Sequence, residues 1–194
     1  MVSRTALMRS NRTEVSENRR RATMPSEETM ASANRASPET TTTIAEVCAE
    51  LKHSAAELSR ALESVADHQD YRPDTEHWSF REIAAHLESC EVECVLVRVR
   101  QIAANAQPKF DFYDNEGWDF SDREIRASVR AFNEYRERLI DFARSLTAEQ
   151  LSRTGEHRTF GRITVGDYLR INLGHDREHL KDLNQMTARF SARS

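Results

Sequence analysis

An all-α four-helix bundle is the fold this sequence predicts, and three observations predict it. Four long stretches carry apolar residues at the helical period. Each stretch opens on a helix-start signal, a Ser or Thr followed three residues later by Glu, Asp or Gln. Glycine occurs only 5 times in 194 residues and aromatic residues make up 7%, too few for a fold of many strands and tight turns.

Residues 1–43 are rich in Ser, Thr, Arg, Asn and Glu, with almost no aliphatic residue after Met8. Such a segment buries too little apolar area to offset the entropy of ordering, so a disordered tail is expected. It has no apolar signal-peptide core. Glu14, Glu17, Glu27 and Glu28 argue against an organelle transit peptide, and Met24 and Met30 leave a start further downstream open.

The folded body is expected over 44–190. Thr43…Glu46 opens the first helix, 44–67, on the stripe Ile44, Val47, Cys48, Leu51, Ala55, Leu58, Leu62 and Val65. Ser79…Glu82 opens the second, 79–105, on Ile83, Leu87, Cys90, Cys94 and Val97. Ser121…Glu124 opens the third, 121–146, on Ile125, Val129, Phe132, Leu139, Phe142 and Leu146. Thr147…Gln150 starts only a turn or two, because Gly155 and Gly161 follow. Thr164…Asp167 opens the fourth, 164–189, on Val165, Leu169, Leu173, Leu180 and Leu183. Apolar staples accompany four of these starts: Trp78 with Ile83, Phe120 with Ile125, Leu146 with Leu151 and Ile163 with Tyr168. Four amphipathic helices around one core make a four-helix bundle. Two connections exceed what a bundle needs. Residues 106–120 are aromatic and acidic; 152–163 contain a small hairpin signal at Thr159–Ile163. Glu91, Glu93, Arg98 and Arg100 read as a solvated face.

Composition bounds the function. The net charge is −4, and the seven Arg and five Glu of residues 1–43 leave the body acidic. An acidic body without a basic stripe argues against nucleic acid as partner. No apolar run approaches the ~20 residues of a membrane span. Cys48, Cys90 and Cys94 show no C-x-x-C spacing, which points to free thiols in a reducing, cytoplasmic setting.

The chemistry concentrates in histidines. His175 and His179 are four residues apart, so on a helix they share a face. On the helical wheel they flank the apolar stripe beside Tyr168 and Asn172, and His86 holds the matching flank of the second helix. Three neutral imidazoles can hold a divalent ion, Zn²⁺ or Ni²⁺ foremost, and leave a position open. Such an ion brings a water's pKa to around 7 or holds a thiol as thiolate. Glu82 and Asn172 are candidates to orient the rings, and Glu82 also to act as a base. Cys90 reads as a small apolar filler, with fourth ligand or reactive thiol as the rival readings. Edge histidines with ordinary hydrogen bonds are the plain alternative for the whole set, and the pair lacks the Glu of H-E-x-x-H. His53, His68, His77 and His157 look ordinary.

Trp78-Ser79-Phe80-Arg81-Glu82-Ile83-Ala84-Ala85-His86-Leu87, together with Asp167-Tyr168-Leu169 and Gly174-His175-Asp176-Arg177-Glu178-His179-Leu180, resembles the DinB/YfiT-like superfamily. The resemblance spans about 44–190. It implies a four-helix bundle, frequently a homodimer, with zinc or nickel held by His86, His175 and His179. It also implies an enzyme acting on small molecules, foremost a thiol-dependent S-transferase using bacillithiol, mycothiol or glutathione. In that reading the ion holds the thiol, and Phe110, Phe112, Tyr113, Trp118 and Tyr168 wall the cavity. Plain packing over the bundle end is the rival for the aromatics. A metal-dependent hydrolase and a non-catalytic, stress-related metal-binding dimer are the alternatives.

Overall fold

The computed structural model describes residues 43–115 and 117–193; the expected disordered tail lies outside them but for Thr43. Helix α1 spans Ile44–Ser64 and ends in a 3₁₀ turn at Ala66–His68. The second long rod has three parts: α2 (Phe80–Ser89), a π-turn (Cys90–Val95) and α3 (Leu96–Ala103). Then come α4 (Ile125–Ser145), the short α5 (Ala148–Ser152) and α6 (Val165–Ser191). The four-helix bundle is the one expected. It carries one addition, a small sheet of β1 (Lys109–Phe110), β2 (Thr154–His157) and β3 (Gly161–Thr164) in the order β1-β2-β3. The hairpin signal is its β2–β3 pair, antiparallel with Thr154 opposite Thr164, and β1 joins β2 in parallel.

Four of the five start signals form complete capping boxes, at Thr43, Ser79, Thr147 and Thr164. In each, hydroxyl and carboxylate or amide satisfy backbone N–H groups that the first helical turn leaves open. The fifth differs. Helix α4 begins at Ile125, not 121, because Glu124 is itself the cap: its carboxylate accepts from Ala127 N at 3.0 Å. A carboxylate caps as well as a hydroxyl does.

The π-turn is the main departure from expectation. An i→i+5 turn holds about 4.4 residues, so each advances about 82° rather than 100°, and six of them lag by about one residue position. Val97, expected on the apolar stripe, is turned out and is 42% exposed. Arg98 is brought into line with His86 and Cys94. The expected solvated face also loses Glu91, which is 1% exposed.

The core is two apolar clusters separated by a polar belt. One joins Leu51, Val99, Leu139 and Leu169 with their neighbours. The other joins Leu58, Phe80, Phe132 and Leu183. Between them, every long helix contributes a buried polar residue: Ser54 from α1, His86 and Glu91 from the second rod, Arg136 from α4, and Asn172, Asp176 and His179 from α6.

Candidate metal centre

The belt contains His86 and His179, and the half-buried His175 borders it. The Ser79 box starts α2 so that His86, two turns in, faces the bundle axis, and its ring lies 4.7 Å from that of Trp78. His175 and His179 are one turn apart on α6. Their rings meet edge to face, and the three side chains converge: His86 Nε2 is 3.1 Å from His175 Nε2, and His179 Nε2 is 3.0 Å from the same atom. The His86 and His179 rings are 4.9 Å apart.

The two spacings about His175 are those of ligands to one ion, and the donor group within mutual reach among the described residues is His86, Cys90 and His175, with His179 joined to it through His175. Ligand nitrogens ~2.0–2.1 Å from a cation, at angles between octahedral and tetrahedral, lie about 2.9–3.4 Å from each other. The donors are also in the ligating state. Burial pushes His86 down to about 4 and His175 down to about 3, the latter helped by His86 and Arg136 nearby. Burial and the two neighbouring rings hold His179 well below its ordinary value. All three are neutral imidazoles at pH 7. The amide oxygen of Asn115 lies 2.7 Å from His86 Nδ1 and can only accept, so it holds the proton there and leaves Nε2 bare. Cys90 Sγ is 3.5 Å from His86 Nε2, and His86, Cys90 and His175 each offer a ligand atom within 4.8 Å of the others. Cys90 is thus within reach as a further ligand, although burial raises its thiol well above the ordinary range.

Behind the rings lies a buried ion triad. Arg136 donates to Glu91 Oε1 (2.9 and 2.5 Å) and to both oxygens of Asp176 (2.7 and 3.0 Å). It also donates to the Leu51 carbonyl at 3.0 Å, and Ser54 donates to Asp176 Oδ2 at 2.5 Å. Burial alone would lower the Arg136 pKa; the two carboxylates overcome that and raise it. One cation against two anions leaves the triad net negative beside three neutral ligands.

The expected supporting residues divide. Asn172 is buried and donates to Glu91 Oε1 at 3.0 Å, so it ties the triad to the histidine helix. Glu82 is held elsewhere: it accepts from Ser79 N at 2.6 Å and pairs with Arg72 at 3.1 Å. Phe112, Tyr113 and Tyr168 line, with His86 and His175, a solvent-open cleft whose enclosed volume is about 70 Å³. Phe110 stacks near Tyr168 at 6.1 Å, whereas Trp118 lies outside the cleft lining with its ring 6.2 Å from Phe120. His157, which looked ordinary, is buried and lines the cleft with Arg98 and Phe160. A second, more polar pocket reaches His179 from the other side, beside His77, Asp182 and Arg189. Burial and Glu178 raise the Asp182 carboxyl. The sequence reading missed Arg136, Glu91, Asp176 and Asn115.

A four-helix bundle with three histidines gathered at mid-height defines a class of protein with one potential metal centre per chain. The family is recognised directly: the sequence profile of the DinB superfamily matches residues 69–183, and the chain belongs to that superfamily. Among solved structures it is similar to YfiT from Bacillus subtilis, described as a probable metal-dependent hydrolase with an unusual four-helix bundle topology. The TM-score is 0.69 at 21% identity, over 79% of this chain and 91% of that one. No curated protein matches the chain. No helix among the described residues is long and apolar enough to cross a membrane.

Proposed function

We propose that the protein is a divalent-metal-dependent enzyme acting on small molecules, with the ion held by His86, His175 and His179. One observation carries this reading: two Nε2 atoms stand 3.1 and 3.0 Å from that of His175, all on neutral rings. A divalent cation there supplies Lewis acidity, which makes a nucleophile of water or a thiol near neutral pH. Asn115 keeps the His86 lone pair directed at the ion. The net negative triad offsets part of the charge that three neutral ligands leave uncompensated.

The cleft favours thiol S-transfer. Among the described residues no carboxylate lines it, so water on that side lacks a carboxylate base, which a thiol held as thiolate does not need. Its apolar walls suit an electrophile with little charge. Hydrolysis has its own support: Asp182 shares the second pocket with His179 and is a proton acceptor there. The description of YfiT points the same way.

Elemental analysis of protein purified without chelator tests the centre. About one ion per chain in the wild type and none in His179→Ala is expected; equal metal in both refutes it. Metal-loaded protein is then offered a model electrophile with bacillithiol, mycothiol or glutathione, and separately a panel of esters and amides. Turnover with a thiol supports transfer, turnover without one supports hydrolysis, and silence in both arms refutes the enzyme.

A further inference from the structure

Arg98 is the one formally charged residue among the described residues lining the cleft, and it stands beside Tyr168 and His157, two turns of α6 from His175. None of its polar partners is a carboxylate: they are Tyr168 OH at 3.3 Å, His157 Nε2 at 3.4 Å and the Asp111 carbonyl at 2.8 Å. Its guanidinium lies 5.0 Å over the Phe110 ring. No ion pair among the described residues involves it, although fourteen other basic or histidine side chains of this acidic body make such pairs. A half-buried cation facing an apolar cleft, without a counter-ion, is matched by one negative charge on whatever fills the cleft. The π-turn puts it there, since a plain α-helix would place Arg98 about one residue position further round.

We infer that the substrate is an amphipathic carboxylate: a metal-seeking group at one end, an apolar middle, and a carboxylate bound by Arg98 with Tyr168. This rests on the metal-centre reading above. A single planar guanidinium suits a carboxylate, which it can grip with two parallel hydrogen bonds, better than a doubly charged phosphate. The span is set by α6: Tyr168 and His175 are seven residues apart, about 10 Å along the helix. Phe112 and Phe160 wall the stretch between.

The test is binding, with two hydroxamates of equal chain length as probes: suberic acid monohydroxamate, which ends in a carboxylate, and octanohydroxamic acid, which does not. Affinities for zinc-loaded protein are measured by calorimetry. The carboxylate probe should bind the wild type about tenfold tighter, as expected of a charge-assisted hydrogen-bonded pair in a partly dry site. That ratio should fall to about one in Arg98→Gln and persist largely in Arg98→Lys. A purely structural role for Arg98, holding the Asp111 loop, would weaken both probes alike and leave the ratio unchanged. Equal affinities in the wild type, or an unchanged ratio in Arg98→Gln, overturn the inference while octanohydroxamate binding keeps the metal centre standing. If neither probe binds wild-type protein, centre and inference fall together.

Discussion

Arg136→Met tests the polar belt. The substitution keeps an unbranched side chain of similar reach and removes the guanidinium. Arg136, Glu91 and Asp176 are 2%, 1% and 1% exposed, so the two carboxylates left behind have almost no access to water. Breaking a buried pair by deleting one partner costs about 3–5 kcal/mol. Here one deletion strands two anions and frees the Leu51 carbonyl, so the upper end, about 5 kcal/mol, is expected. A domain of this size loses roughly 2–4 °C of Tm per kcal/mol, which gives a drop of about 10–20 °C. Urea unfolding of metal-free protein, followed by far-ultraviolet circular dichroism, measures it. A triple variant, Arg136→Met with Glu91→Met and Asp176→Leu, should recover most of the loss, because apolar residues of like volume replace a buried ion cluster at little cost. A loss under about 1 kcal/mol in the single variant would show the triad to be solvated in solution and refute the argument.

The metal-free protein should weaken in acid. His86 and His175 sit at about 4 and about 3 in the folded state against 6.5 in the unfolded chain, so below that value the unfolded chain binds more protons. Their contribution is complete above pH ~6.5 and is lost as pH falls toward 4, by about 1.4 kcal/mol per pH unit for each ring. Urea midpoints that match at pH 7.5 and pH 5 would contradict it. Gly155→Ala should destabilise by about 1–3 kcal/mol through overpacking. The new Cβ would lie 3.1 Å from Phe110 Cε2 and Pro108 Cγ and 3.2 Å from Ile102 Cγ1. A thermal melt showing a gain would mean that this corner of the sheet is looser than its packing indicates.

Helix number, order and most starts were legible because they are local. A capping box and a 3.6-residue stripe need only neighbouring residues, and the histidine pair needs only one helix face. The ion triad was legible too, in hindsight, as a gap. The stripe of α4 passes from Phe132 to Leu139 with Arg136 in the vacant slot, and that of α6 from Leu173 to Leu180 with Asp176 in its own. Two helices missing an apolar residue at the same level, one filled by a cation and one by an anion, form a pairing signal that a one-helix reading discards. The start of α4 was misplaced because Glu124 competes with Ser121 for the cap, and the fold settles that choice through its chain partners. Asn115 has no such signal, since its role depends on where a fifteen-residue connection folds back. The π-turn left only a faint trace, an apolar Val97 that the regular wheel took for core.

That turn gives the protein an unusual lever. Removing one residue within Cys90–Val95 would let the rod close as an ordinary α-helix. Five α-helical residues turn the rod about as far as the six of the π-turn do, so His86 and everything after the turn would keep their faces. Arg98 would still reach the cleft, and only the side chains of the turn itself would change places. The reactive end and the recognising end are thus joined by a register that survives the loss of one codon at the turn, so the cleft wall between them can be recast on an unchanged trio of imidazoles.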